Sequence, residues 1–131
     1  MRVLDGEQFL VRVFIGEAEK WRHTPLWRAL LERLRREGFA GTTVFHGVAG
    51  FGAGSVIHTA QIVDLSGDLP VVLEVVDDKE HVDRLIPILD EMVTGGALIT
   101  MEKVRVLKYA PDGRRSSAPP APSNARAPKG E

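Results

Sequence analysis

No cysteine occurs among the 131 residues. That excludes disulfides, thiol nucleophiles and thiolate metal sites. No apolar run approaches the roughly 20 residues a membrane-spanning helix needs, and the start MRVLDGEQ lacks the apolar core of a signal peptide. A cytoplasmic protein is therefore expected. Nor is there an excess of either charge. The formal net charge is −1, and residues 1–110 carry 13 basic against 16 acidic side chains. A body of that balance argues against nucleic acid as a partner, because phosphate backbones select basic surfaces. Several catalytic signatures are also missing. There is no G-x-x-x-x-G-K-[ST] loop, and Gly54-Ser55-Val56 lacks the second glycine of a nucleophile elbow. The four histidines, His23, His46, His58 and His81, form no i, i+4 pair. Ordinary polar or capping roles are their preferred reading over metal ligation.

What is present is a pattern of strands and helices. In FLVRVFI, Phe9, Val11, Val13 and Ile15 alternate with Leu10, Arg12 and Phe14, which predicts a strand ended by Gly16. Thr24-Pro25 reads as N-cap and first residue of a helix. Leu26, Leu30 and Leu34 form its apolar stripe, Arg28, Glu32, Arg33, Arg35 and Arg36 its wet face, and Gly38 its stop. A second strand follows at Thr42–Val48, and another extended segment at Val56–Leu65. Pro70–Val76 predicts a central buried strand with proline acceptably first. Asp77 to Glu80 gives a capping signal for a helix with Val82, Leu85, Ile86, Leu89 and Met92 on one face, bent at Pro87. Thr94-Gly95-Gly96 ends that helix, and Leu98–Tyr109 is the last strand. The order β-α-β-β-α-β predicts an α+β, ferredoxin-like sandwich over residues 1–109. Residues 110–131 hold five of the eight prolines and predict a disordered Pro/Ala/Ser-rich tail.

This topology places three connections at one end of the sheet: Gly16–His23, Gly47–Pro70 and Thr94–Ala97. Two are rich in glycine. Gly47, Gly50, Gly52 and Gly54 sit between β-branched runs, and glycine admits both positive φ and close backbone approach. The loop leads into Ser55-Val56-Ile57-His58-Thr59, a strand-favouring run, whereas a dinucleotide loop must open a helix. Two readings of the glycines stand side by side: a nest of amides for an anion, and a bulged hairpin with no ligand. Lys20 is the cation placed to meet an anion. Glu17 and Glu19 are a weak catalytic pair, since solvated loop acids are common. Glu17 or His58 as the base of a small enzyme is the reading placed last, and a non-enzymatic protein is expected. With two helices on one face, the other face keeps apolar side chains, so self-association is expected.

The runs LVRVFIGEAEKW, TPLWRALLERLRREG, TVFHGVAGFGAGSVIHTA, LPVVLEVVD and LDEMVTGG resemble the domain of unknown function 190 family of the PII-like superfamily, over about residues 8–109. The resemblance implies a PII-like homotrimer that binds adenine nucleotides between subunits and signals through the long loop after the second strand. Gly50-Phe51-Gly52 is similar to the start of the PII signalling loop, and Thr94-Gly95 to the start of its phosphate-binding loop. The Gly-Asp-Gly-Lys run that continues that phosphate loop is absent, as is the loop tyrosine that some PII proteins modify. The nucleotide-binding set so expected is Lys20, Gly50, Phe51, Gly52, Gly54, Ser55, Thr94, Gly95 and Gly96, with no metal and no resident cofactor. The expected partners are the trimer's own subunits and a protein target, a membrane transporter being a candidate. The alternative is a nucleotide-independent trimer related to divalent-metal-tolerance proteins.

Overall fold

The computed structural model describes residues 2–52 and 68–110. The extended segment expected at Val56–Leu65, the positions Gly54 and Ser55, and the tail beyond Ala110 lie outside them. The described elements are β1 (Gly6–Gly16), β2 (Lys20–Trp21), β3 (Thr24–Pro25), α1 (Leu26–Arg36), β4 (Thr42–His46), β5 (Pro70–Asp77), α2 (Lys79–Met92) and β6 (Leu98–Val106). The main sheet has the order β4-β5-β1-β6, and every neighbouring pair in it is antiparallel. This is the ferredoxin-like arrangement the pattern predicts. Its centre is the pair of strands with the strongest β-branched runs. β1 and β5 pair from Phe9↔Asp77 to Gly16↔Pro70.

Period-2 alternation turns one set of side chains to the helices. Val11, Val13 and Ile15 of β1 and Val71, Leu73 and Val75 of β5 are buried there. They pack against Leu26, Leu30 and Leu34 of α1 and Val82, Leu85, Ile88, Leu89 and Met92 of α2. Each such side chain contributes about 1.5–3 kcal/mol when fully buried. Among the described residues, no helix packs on the opposite face. Across it runs an apolar row in register: Phe45, Val72, Phe14 and Leu98. Phe45 is 51% and Leu98 58% exposed. The next row holds a charged group, with Arg12 bonded to Glu74 at 2.9 Å and to Glu102 at 3.1 Å.

Helix α1 ends as its sequence predicts. Gly38 has φ +84°. The Phe39 amide donates to the Leu34 carbonyl at 3.1 Å and the Gly38 amide to Arg35 at 3.2 Å. Those two bonds make a Schellman motif.

The start of α1 departs from the expected cap. Pro25, not Thr24, is the N-cap residue, and no side chain caps the helix. Thr24 and Pro25 instead pair with Trp21 and Lys20 in a small hairpin, so Thr24 is committed to a strand before the helix begins. Helix α2 shifts by one residue as well. Its N-cap is Asp78, whose Oδ1 accepts the His81 amide at 2.9 Å, while Asp77 completes β5. Its buried face takes Ile88, and Ile86 is half-exposed. The helix runs through Pro87 to Met92. Strand β4 stops at His46 and β6 at Val106, both earlier than their apolar residues suggest.

Candidate functional site

The glycine-rich end of the sheet is built around the residues that follow β1. The Glu17 amide donates to the Leu69 carbonyl at 2.8 Å, and the Ala18 amide donates to Asp68 Oδ1 at 2.7 Å. Asp68 thus ties this connection to the approach of β5. Its carboxylate fills the space a Cβ on Gly16 would need. The Glu19 carbonyl accepts the Leu26 amide at 2.8 Å, which fixes the connection to the start of α1.

Both glycine segments lie against this frame. Gly47 donates its amide to the Pro70 carbonyl at 2.7 Å. A Cβ on Gly47 would come 2.7 Å from Pro70 Cγ, and one on Gly50 would come 3.0 Å from the same atom. Gly50 also has φ +152°. Both positions therefore require glycine for close approach. On the other side of the frame, a Cβ on Gly95 would stand 2.8 Å from Glu19 Oε1. The Glu19 side chain lies directly on that glycine.

Carboxylates therefore flank both segments. Glu17 Oε2 stands 3.9 Å from His46 Nδ1, at the end of β4. The His46 ring in turn meets Trp27 edge-on, with 5.0 Å between centroids. Burial pushes the Glu19 carboxyl above the ordinary glutamate value. The neighbouring Asp68 acts in the same direction, and the Gly16 backbone works against both.

The structure thus places Gly95 against Glu19 of the 16–20 connection, and Gly50 against Pro70, whose strand partner is Gly16. Most of the other expected residues are exposed. Phe51 is 75% exposed. Among the described residues, nothing lies within 4 Å of where a Cβ on Gly52 would stand, and its φ is not positive. Thr94 is exposed and Gly96 half-buried. Lys20 is exposed on the short hairpin, across from Pro25. Next to it, Arg22 and His23 form the hairpin turn with φ +49° and +72°, and the Arg22 guanidinium lies 4.7 Å from the Trp21 ring centre. By residue type Asp68 suits a turn. Nothing local marked it as the anchor of a connection fifty residues away.

A second polar cluster sits at the opposite end. Asp77 is fully buried. Its carboxylate accepts from Arg2 at 2.6 and 3.1 Å, from the Ala40 amide at 2.8 Å and from the Asp78 amide at 2.7 Å. Asp78 also binds Arg2, at 3.0 Å, and His81 Nδ1, at 2.8 Å. Asp77, Asp78 and His81 offer ligand atoms within 4.8 Å of one another, but the guanidinium already occupies the cationic position among them. Burial pushes Asp78 up, yet the His81 amide and ring together with Arg2 outweigh it, and the carboxyl sits below the ordinary aspartate value. His81 has an ordinary polar role: its amide and its ring are both held by Asp78, the residue that caps the helix.

The fold and the residue runs can be set beside known proteins. The DUF190 family pattern, described as uncharacterized ACR, matches residues 8–106. The chain belongs to the DUF190 family. A UPF0166 protein of Aquifex aeolicus is 36% identical over 107 residues, covering 82% of this chain and 98% of that protein. Among solved structures, a Thermus thermophilus protein described as PII-like and signaling superposes with a TM-score of 0.55. It is 24% identical, and the match covers 79% of this chain and 93% of that one. The CPII protein of Thiomonas intermedia, solved with ADP, AMP and acetate, superposes with a TM-score of 0.57 at 13% identity. The match covers 77% of this chain and 89% of that one. At these identities the two structures establish a shared PII-like fold. No helix among the described residues is long and apolar enough to cross a membrane.

Proposed function

We propose that this DUF190 protein is a non-catalytic, PII-like regulator that works in the cytoplasm and binds an adenine nucleotide at the glycine-rich end of its sheet. The observation that supports this reading is the placement of both glycine segments at one end of the sheet, Gly50 against Pro70 and Gly95 against Glu19, in a fold shared with a protein solved with ADP and AMP. Backbone at glycine lets amide donors face a phosphate without a side chain between them. Lys20, Gly50, Gly95 and the neighbouring Phe51, Gly52, Gly54, Ser55, Thr94 and Gly96 are the proposed nucleotide set.

The subunits are proposed to meet through the face of the sheet opposite the helices, as a homotrimer. The row Phe45, Val72, Phe14 and Leu98 supports this, because an apolar stripe of that kind is stable when covered. The nucleotide sites then fall in the clefts between subunits, and a protein target reads their occupancy through the segment that follows β4. A membrane transporter is the candidate target.

Titration calorimetry with ADP and AMP, alongside sedimentation of the full chain, tests the proposal. Nucleotide binding by a trimer is expected. Lys20→Ala should lower affinity about tenfold, or 1.4 kcal/mol, with the trimer intact. If neither nucleotide binds the wild-type chain, the nucleotide-independent relative of divalent-metal-tolerance proteins becomes the better reading. A monomer at micromolar concentration would remove the proposed clefts.

A further inference from the structure

The glycine-rich end is not the cationic cradle that a highly charged effector would select. Among the described residues of its connections, three carboxylates, Glu17, Glu19 and Asp68, stand against two full cations, Lys20 and Arg22. Arg22 is laid on the Trp21 ring. The placement of the acids matters more than their number. Glu19 Oε1 lies 2.8 Å from the point a Cβ on Gly95 would take. An anion seated on the Gly95 backbone therefore meets that carboxylate directly. Glu17 reaches His46, the residue before Gly47, so the other glycine segment is flanked in the same way. Asp68 is fixed beside Glu19 by its bond to the Ala18 amide.

We propose that Glu19, supported by Glu17 and Asp68, limits the charge of the effector, so that the site selects a nucleoside monophosphate over a triphosphate. The inference rests on the nucleotide reading above and adds the selectivity of that site. Each further phosphate brings about one more negative charge into the field of fixed carboxylates, and such repulsion is strong where water is partly excluded. The Glu19 carboxyl is already held above its ordinary value by burial and by Asp68. A second anion at that point adds to an unfavourable charge the fold already carries. A single phosphate can take amide donors from one glycine segment.

The test is calorimetric titration of the full-length wild type, Glu19→Gln and Glu17→Gln with AMP, ADP and ATP in EDTA, so that no divalent cation masks the phosphates. Glutamine keeps the size of the side chain and removes the charge. The expected order in the wild type is AMP over ADP over ATP, with about a tenfold loss per added phosphate, 1.4 kcal/mol each. In Glu19→Gln the AMP-to-ATP ratio should shrink at least about fivefold, mostly by tighter ATP binding. Raising the salt concentration should shrink the ratio in the wild type, through screening. ATP binding as tightly as AMP in the wild type overturns the charge limit and leaves the nucleotide reading standing. A ratio unchanged in both glutamine variants has the same effect. Binding of none of the three nucleotides overturns both.

Discussion

Replacing Asp77 by alanine is the most demanding test of how this fold is held at the end away from the glycine loops. The carboxylate is 0% exposed and takes four donors: two from Arg2, and the amides of Ala40 and Asp78. Arg2 would retain Asp78 at 3.0 Å and the Gly38 carbonyl at 2.8 Å. The two amides would lose their partner in a partly buried place, at about 1–3 kcal/mol each. Removing one member of a buried ion pair typically costs about 3–5 kcal/mol in all. The expected loss for Asp77→Ala is therefore about 3–4 kcal/mol, a fall in Tm of roughly 15 °C for a domain of this size. Asp77→Asn keeps one acceptor oxygen and should lose about half as much. Arg2→Ala leaves the two amides in place and should also fall between. Urea denaturation followed by circular dichroism measures all three, at one fixed protomer concentration so that self-association does not shift the midpoint. An Asp77→Ala midpoint equivalent to less than about 1 kcal/mol of loss would refute the view that this carboxylate clamps β5 to the N-terminal segment and the end of α1.

Other outcomes follow from single contacts. Ile88→Ala should cost about 2–5 kcal/mol and Ile86→Ala well under 1, because only Ile88 is buried, and thermal melts of the pair decide which face of α2 is the core face. Asp78→Ala removes the α2 cap and should cost about 1 kcal/mol at neutral pH. Since the folded Asp78 carboxyl lies below its ordinary value, its stabilisation is complete above that value and fades as pH falls through the folded one, so the gap between wild type and variant should close in acid. Glu19 has the opposite sign. Its folded carboxyl lies above the ordinary value, so the penalty is present above the folded pKa and vanishes below the unfolded one, and Glu19→Gln should raise the Tm at pH 7 but not at pH 4. His23→Gly relieves a positive φ in the Trp21–Thr24 turn and should stabilise by about 0.5–1 kcal/mol, read from the same melts.

The order of elements and the class of fold were legible in the chain, because both depend on local periodicity. Alternating valines in β1 and β5, and leucines at 26, 30 and 34, are apolar at intervals that only a strand or a helix can turn to one side. Gly38 marked the end of α1 for an equally local reason, the positive φ of a Schellman motif. Element boundaries were less legible where two local signals competed. Thr24-Pro25 suits a helix start, but pairing with Lys20-Trp21 takes Thr24 first. Asp77 and Asp78 are both cap residues by type, and only the β1 pairing keeps Asp77 in the strand. Ile86 and Ile88 are equally apolar, and which of them is buried depends on how α2 is rotated against the sheet. At the candidate site, glycine content pointed to one end of the molecule, but not to which glycines are constrained. Gly50 is constrained by Pro70, and Gly95 lies against the flexible end of the Glu19 side chain. Those partners are 20 and 76 positions away. The clamp of Arg2 on Asp77 spans 75 positions. Contacts of that separation leave no periodic trace in the chain. They exist because the sheet order β4-β5-β1-β6 brings the ends of distant strands to the same place.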